Sequence, residues 1–179
     1  GLEILTSARA KGIKTEFVAT GQIGILLLGS GVPLDAVRVD FAGGAIEREM
    51  MRYPKAELII VEGQGSLLHP GSSATLPLIR GSMATHLVLC HKAGMTHLQR
   101  VPEIGIPPLR DLIRLYEDLG ESCGTFPRPK TVAVALNTSG MASDSEAMAA
   151  CASISDETGL PCSDPVRFGG NEFVAALGI

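Results

Sequence analysis

The sequence predicts an α/β fold in which helices flank a mostly parallel sheet. Three short runs are apolar at almost every position, as expected for strands that are covered on both faces: residues 57–61, 87–90 and 132–136. Three longer runs have helical character and lie between or after these strands: residues 73–83, 108–119 and 143–158. Strands that alternate with helices are typical of a wound α/β sheet.

The first predicted element is a helix over residues 1–11. Leu2 and Leu5 have helical spacing, and Lys11 followed by Gly12 is typical of a helix end. No Ser, Thr, Asp or Asn precedes Leu2 to cap the helix. We therefore expect the helix to begin upstream and residues 1–179 to be a single α/β domain cut from a longer protein.

The remaining elements follow from local spacing. We predict a strand over residues 15–19, a glycine-rich apolar patch over 20–31, a helix that opens at Pro33 and Asp35, and a last short strand over 164–168. In the helix that opens at Pro33, one face is expected to carry Leu34, Val37, Phe41 and Ala45. Gly43 and Gly44 interrupt that helix and predict the close approach of another backbone.

Composition excludes several classes of function. The 179 residues carry a net charge of -4 and only 4% aromatic side chains, which argues against nucleic-acid or anionic-membrane binding. No apolar run is long enough to cross a bilayer, and no signal segment opens the chain. The four cysteines are widely spaced, so we expect buried free thiols in a soluble cytoplasmic protein.

Candidate functional residues follow three of the predicted strands, because ligands collect beyond the carboxyl ends of parallel strands. Glu62 directly follows the strand over residues 57–61, and glycines stand at positions 63 and 65. A carboxylate at a strand end can bind a metal ion or a polar substrate, and the glycines let the backbone approach that ligand closely. The alternative is that the glycines simply form a turn. His91 and Lys92 follow the second strand, and Asn137 follows the third.

Histidine spacing does not predict a metal site. His86 and His91 differ by five positions, so on one strand their side chains point to opposite faces. His69 shares a loop with Glu62 and is a candidate general base, with a structural hydrogen bond as the alternative. The sequence contains neither a G-x-S-x-G elbow nor a G-x-x-x-x-G-K-[ST] phosphate loop.

Three segments carry a resemblance to a known family. They are F-V-A-T-G-Q-I-G-I at 17–25, V-E-G-Q-G-S-L-L-H-P at 61–70 and L-V-L-C-H at 87–91, with D-A-V at 35–37 and D-F at 40–41 between them. In this order they resemble the C-terminal domain of the D-glutamate N-acetyltransferase-like family, which is related to the P-loop NTPases. The resemblance runs through most of the chain.

The resemblance implies a three-layer sandwich similar to dethiobiotin synthetase, here without the first strand and the phosphate-binding loop. In those relatives a strand-end Glu, matched by Glu62, lies near the metal and phosphates, and an Asn matched by Asn137 reads the nucleotide base. The family's phosphate loop normally precedes a helix like that of residues 1–11, and the family has an additional N-terminal domain. The fragment alone is therefore expected to be inactive.

The activity that the resemblance implies is transfer of acetyl from acetyl-CoA to the amino group of D-glutamate or a similar amino acid. Glu62 and His69 are the expected catalytic residues, and Lys92 or Arg80 is expected to pair with a substrate carboxylate. Backbone N–H groups near residues 63–66 are expected to stabilise the oxyanion. The expected substrate- or cofactor-binding residues are Thr20, Gln22, Gly63, Gln64, Gly65, Ser66, His91, Lys92 and Asn137.

Two alternatives stay open. One is an ATP- and Mg-dependent ligase or NTPase of the dethiobiotin synthetase type, in which Glu62 helps to organise Mg²⁺. The other is a non-catalytic P-loop-like domain that serves assembly. The expected partner is a small-molecule substrate, with no nucleic acid and no membrane, and a homo-oligomer is left open.

Overall fold

The computed structural model describes residues 1–179, which divide into two units, Gly1–Met83 and Ala84–Ile179. Each unit contains parallel strands with helices packed against them, so the predicted α/β class is confirmed. None of the helices has both the length and the hydrophobicity needed to cross a bilayer.

The first unit is built on a two-stranded parallel sheet. Its elements are α1 (Leu2–Ala10), β1 (Thr15–Val18), α2 (Gln22–Leu28), a 3-10 helix (Leu34–Ala36), α3 (Val39–Met50), β2 (Leu58–Val61) and α4 (Thr75–Ser82). The two strands pair from Thr15 opposite Leu58 to Val18 opposite Val61. The predicted strands and the first helix are therefore present, each within two residues of its expected ends.

Helices cover both faces of this sheet. Successive strand residues point to opposite faces, so neighbouring residues of β2 pack against different helices. On one face, Ile60 packs against the buried cluster around Leu5 of α1. On the other face, Val61 packs against a cluster that contains Ile46 of α3 and Leu78 of α4. Ile46 is fully buried, as expected for the centre of a packed helical layer.

A glycine pair brings α3 and α4 into backbone contact. A Cβ on Gly81 would lie 2.5 Å from the carbonyl oxygen of Gly43 and 2.9 Å from its Cα. The absence of a side chain at Gly81 allows this approach, whereas a Cβ on Gly43 would lie 4.0 Å from the Cα of Gly81, an ordinary contact. The predicted close approach at Gly43 is therefore confirmed, with α4 as the partner.

The second unit contains a three-stranded parallel sheet in the order β3-β6-β7, and an antiparallel pair, β4 with β5. Its elements are β3 (His86–Lys92), β4 (His97–Leu98), β5 (Val101–Gly105), α5 (Leu109–Glu121), β6 (Lys130–Asn137), α6 (Asp144–Thr158), β7 (Cys162–Ser163), α7 (Pro165–Phe168) and α8 (Asn171–Leu177). Val134 and Leu136 of β6 pack with Cys151 of α6 and Cys162 of β7.

Four local expectations are wrong. The patch after β1 contains the helix α2, and the helix expected from Pro33 is broken: residue Val37 is extended, with ψ 133°, between the 3-10 helix and α3. This break changes the helical phase, so Phe41 is 64% exposed instead of buried. The strand expected over 164–168 is the helix α7. All four cysteines are free, but Cys90 and Cys123 are exposed.

Asp164 is the N-cap of α7 and a buried acid that sequence reasoning overlooked. Its Oδ1 accepts from the N–H groups of Val166 and Arg167, at 2.9 and 3.3 Å, which is the role of an N-cap residue. Its Oδ2 accepts from the N–H and the hydroxyl of Thr138, at 2.9 and 2.5 Å. The dipeptide Asp164-Pro165 is a signature of a helix start and could have identified this element.

Arg167 extends the same network to the loop after β6. Its guanidinium donates to the carbonyl oxygens of Thr138 and Met141, at 3.3 and 2.7 Å, and pairs with Asp144 at 2.8 Å. The carboxyl end of β6 is thus tied to α7 by Asp164 and Arg167 together.

We expect Ile46→Ala to lower the free energy of unfolding by about 2–5 kcal/mol, because it leaves a cavity in the buried cluster that Ile46 shares with Leu78 of α4. Phe41→Ala, on the same helix, is the matched control and should change it by less than about 0.5 kcal/mol, because Phe41 is exposed. Urea denaturation followed by circular dichroism measures both. Equal losses in the two variants would contradict the observed helical phase.

Asp164 predicts a specific dependence of stability on pH. Burial disfavours its charge, but the hydrogen bonds from Thr138, Val166 and Arg167 outweigh this and hold the pKa of Asp164 below its ordinary value. The native-state pKa is thus below the unfolded one of about 3.9. The stabilisation is fully present above about pH 4 and is lost as the pH falls through the native pKa.

We therefore expect Asp164→Asn to cost about 1–3 kcal/mol of unfolding free energy at pH 7, and the cost to shrink below about pH 4. Asp156→Asn, at an exposed carboxylate, is the control and should cost little at any pH. Urea titrations from pH 7 to pH 2 compare the variants. A cost that stays constant over this range would refute the assignment.

Candidate functional site

Glu62 lies directly after β2, where its carboxylate contacts the backbone that leads into α2. Its Oε2 accepts from the N–H of Thr20 at 2.8 Å and from the N–H of Gly21 at 2.9 Å. Gly21 is the N-cap of α2 and has no side chain of its own to cap the helix. Glu62 therefore satisfies the N-cap N–H as the Glu of a capping box does, but from a neighbouring strand.

Thr20 completes this junction from the other side. Its side chain is fully buried, and its hydroxyl donates to the carbonyl oxygen of Glu62 at 2.9 Å. The N–H of Glu62 in turn donates to the carbonyl oxygen of Val18 at 2.9 Å. The pairing of β1 with β2 thus continues past the ends of both strands and fixes the backbone of Glu62. Thr20 is placed as a structural partner of Glu62.

Two glycines leave room for the Glu62 carboxylate. A Cβ on Gly24 would lie 2.6 Å from Glu62 Oε2 and 3.1 Å from the Cβ of Ala19. A Cβ on Gly21 would lie 2.8 Å from Nε2 of Gln64, whose side chain therefore lies beside the same helix start. The structure brings Thr20, Glu62 and Gln64 together around the beginning of α2.

Gln22 is directed elsewhere. Its Nε2 donates to Oδ2 of Asp35 at 2.9 Å, on the exposed surface. This bond links the first residue of α2 to the 3-10 helix. A binding role for Gln22 stays a prediction.

Hydroxyl groups brace the loop that follows Glu62. The hydroxyl of Thr75 donates to the carbonyl oxygen of Gln64 at 3.0 Å and lies 2.8 Å from Oγ of Ser72. Ser72 Oγ accepts from the N–H of Ser66 at 3.3 Å. Gly65 has φ +69° and faces Ser72 closely, so a side chain at this position would be both strained and obstructed. The loop is therefore held in one conformation by its own polar groups.

Three consecutive backbone N–H groups in this loop have no acceptor within the protein, those of Gly63, Gln64 and Gly65. Gly63 and Gly65 are exposed, and a Cβ on Gly63 would meet open space. Backbone N–H groups that are free and held in place are suitable donors for an anionic oxygen.

His69 makes one defined hydrogen bond. Its Nδ1 accepts from the N–H of Gly71 at 3.1 Å, so the neutral ring carries its proton on Nε2. In this tautomer Nε2 is a donor. The structure therefore supports the structural alternative for Nδ1 of His69 and leaves Nε2 available.

The expected residues of the second unit lie on β3 and β6. Lys92 and Asn137 are register partners at the carboxyl ends of these strands, and both are exposed. Asn137 Oδ1 accepts from the N–H of Ser139 at 2.9 Å, which forms a local turn. His91 precedes this end and is half-buried; burial lowers its pKa, against a smaller opposing effect of Glu157. Lys92 and Asn137 are thus brought together at one strand edge.

No group of three or more His, Cys, Asp or Glu side chains is arranged to hold a metal ion. His86 and His97 each lie next to a threonine hydroxyl, at 3.0 and 3.1 Å. Mg²⁺ usually keeps several waters and needs only one or two carboxylates. Glu62 Oε1, which has no hydrogen-bond partner in the protein, could supply one such ligand.

We expect Gly24→Ala to destabilise the first unit by about 1–3 kcal/mol, because its Cβ would push Glu62 away from α2. Gly44→Ala is the matched control: it lies within α3, meets open space, and should stabilise the helix by up to about 1 kcal/mol. Thermal and urea unfolding of both variants give the comparison. Stabilisation by both substitutions would contradict the described contact.

Comparison with known proteins places this chain in a family. The protein-family model described as "Domain of unknown function (DUF1611_C) P-loop domain" matches residues 1–174. A crystal structure of a DUF1611 family protein from Anabaena variabilis ATCC 29413 is 50% identical to this chain, with a TM-score of 0.96. That similarity covers 99% of this chain and 52% of the other.

Two curated relatives bear the name D-glutamate N-acetyltransferase. The protein from Tritonibacter scottomollicae is 37% identical over 174 residues, which cover 94% of this chain and 50% of the relative. The protein from Pseudoalteromonas sp is 34% identical over 177 residues, which cover 98% of this chain and 52% of the relative. The chain thus spans about half the length of the curated relatives it matches. It belongs to the DUF1611 family and matches the P-loop domain of that family from residue 1 to residue 174.

Proposed function

We propose that the protein carrying this chain transfers an acetyl group from acetyl-CoA to the amino group of D-glutamate or a similar amino acid. The observation that carries the proposal is the similarity of nearly the whole chain to two relatives named D-glutamate N-acetyltransferase. Since the chain spans about half of each relative, the activity is proposed for the whole protein.

Acyl transfer to an amine needs a base that removes a proton from the attacking nitrogen. Glu62 is the better candidate of the two predicted bases. Its Oε2 is fixed by two backbone N–H groups, while its Oε1 has no hydrogen-bond partner in the protein. A carboxylate that is held by one oxygen presents the other in a defined position, which favours proton transfer.

The thioester oxygen becomes negative in the transition state and needs donors that are already in place. In the proposed site these are the free N–H groups of Gly63, Gln64 and Gly65. The bonds among Thr75, Ser72 and Gln64 hold this loop, so little reorganisation is needed when the charge develops.

Recognition of the amino acid requires cationic or polar groups for its carboxylates. In the second unit, Lys92 is exposed at a strand end and forms no ion pair there, and Asn137 lies opposite it in the ladder. An ammonium group beside a side-chain amide is suited to bind a carboxylate. We propose that Lys92 and Asn137 bind a carboxylate at this strand end of the second unit.

The description of the family as a P-loop domain favours a second candidate, an ATP- and Mg-dependent enzyme. Glu62 Oε1 would then supply a ligand to Mg²⁺ through its free lone pairs. The two candidates differ in their requirements, because acyl transfer from a thioester needs no metal whereas phosphoryl transfer from ATP does.

The test uses the full-length protein with acetyl-CoA and D-glutamate, without metal or ATP, and detects N-acetylglutamate by mass spectrometry. We expect product that disappears when D-glutamate is omitted. Glu62→Gln should lower kcat by about 100-fold or more, because the amide cannot take a proton. Glu57→Gln is the control: this carboxylate accepts from the N–H of Lys14 near the opposite end of β2 and should leave kcat unchanged.

Wild-type turnover by Glu62→Gln would remove Glu62 as the base. Failure to form product, together with ADP release from Mg-ATP in the presence of candidate carboxylates, would favour the second candidate. Urea unfolding of both variants shows whether a lost activity reflects lost folding. We expect Glu62→Gln to fold, because the amide oxygen of Gln can still accept from the N–H groups of Thr20 and Gly21.

A further inference from the structure

A cleft in the second unit concentrates positive charge away from the strand end that carries Lys92 and Asn137. It has a volume of about 390 Å³ and lies beside α5, the start of β6 and the end of α6. Lys130, the first residue of β6, lines it, whereas Asn137 is the last residue of that strand. Eight strand residues span roughly 23 Å, so the cleft and that strand end are separate places.

We propose that this cleft binds a small organic oxyanion, a carboxylate or phosphate attached to an apolar group. Its cationic side chains are Arg110, Arg114 and Lys130. Arg110 and Arg114 are four positions apart on α5, so they project from the same face of the helix. Two guanidinium groups one turn apart can each donate in bidentate fashion to the oxygens of one ligand.

These cations are poorly neutralised by the protein itself. Arg114 pairs with Asp111 at 3.3 Å in an exposed contact, and Arg110 donates only to the carbonyl oxygen of Asp156, at 3.4 Å. Lys130 forms no ion pair. Exposed ion pairs of this kind contribute little, so the charges remain available to a ligand.

Arg128, which does not line the cleft, behaves differently. Arg128 pairs with Asp118 and Glu121, both at 2.7 Å, and with Glu117 at 3.4 Å. Glu117 also lines the cleft, but its carboxylate is occupied by Arg128 and by the N–H of Thr131 at 2.8 Å. One acid against three cations leaves the lining of the cleft with a net positive charge.

The charge of the cleft opposes that of its surroundings. Residues 84–179 contain seven Lys and Arg against eleven Asp and Glu, so the unit is acidic as a whole. Three of its seven cationic side chains line this one cleft. An acidic unit with a local positive cleft directs small anions to that cleft.

The lining also provides an apolar surface. Ile113, between the two arginines on α5, and Leu160, after α6, are both half-buried and line the cleft. A ligand with an apolar group next to its oxyanion would cover this surface while its oxygens meet the guanidinium groups. This indicates a preference for an organic anion over a free inorganic one.

The test is isothermal titration calorimetry of the full-length protein with phenyl phosphate, benzoate and inorganic phosphate. We expect phenyl phosphate or benzoate to bind more tightly than inorganic phosphate, and the tighter of the two distinguishes a phosphate from a carboxylate ligand. The affinity should fall as the salt concentration is raised from 50 to 300 mM, because salt screens the attraction between the ligand and exposed cationic side chains.

The double variant Arg110→Gln and Arg114→Gln should weaken binding about fivefold or more, and Lys130→Gln should weaken it separately. Arg100→Gln is the control, at an exposed arginine of the same unit outside the cleft, and should change affinity by less than about twofold. No binding by the wild type, or binding that both cleft variants leave unchanged, would overturn the proposal. Equal affinity for phenyl phosphate and inorganic phosphate would overturn the assignment of an apolar group.

Discussion

The geometry of the candidate site in the first unit depends on one interaction: the carboxylate of Glu62 accepts hydrogen bonds from two backbone N–H groups. This contact joins the carboxyl end of β2 to the start of α2, 42 and 41 residues away along the chain. Capping interactions of this kind contribute about 0.5–2 kcal/mol, and here they also set the position of an acid. Gly24 has no side chain to disturb the contact, and Gln64 lies beside it. The conformation of this edge therefore follows from where Glu62 is held.

The second unit contains the same kind of contact between a buried threonine and an acid, but the acid there uses both of its oxygens. Thr20 and Thr138 are fully buried, each follows a parallel strand, and each donates its backbone N–H to an acid, Glu62 or Asp164. Both oxygens of Asp164 are occupied, one by Thr138 and the other by the first turn of α7. Glu62 uses only Oε2. Of two acids with similar attachments, Asp164 thus has both oxygens in structural hydrogen bonds, whereas Oε1 of Glu62 has no hydrogen-bond partner in the protein.

The sequence was most informative where a pattern is local. The strand that ends at Val61 was predictable because a run of apolar residues is typical of a covered parallel strand. The contact at Gly43 was predictable because glycine destabilises a helix interior and is typical of places where another backbone approaches closely. The helix α2 was missed because it is seven residues long, contains Gly24, and has its N-cap N–H satisfied by Glu62 from a distant part of the sequence. Phe41 was misplaced because the extended Val37 resets the helical phase, which no spacing rule detects.

The hydrogen bonds around Glu62 and His69 distinguish two residues that the sequence alone offered equally as the base. In the proposed acyl transfer, one group must accept a proton and other groups must donate to the developing oxyanion. Because Nδ1 of His69 accepts from Gly71, the neutral ring can donate from Nε2 but has no free lone pair. Glu62 has a free oxygen and, when ionised, can only accept. The chemistry of the two side chains therefore favours Glu62 as the base and His69 as a donor. This assignment depends on the hydrogen bond from the N–H of Gly71, which occupies Nδ1 of His69 and leaves the proton on Nε2.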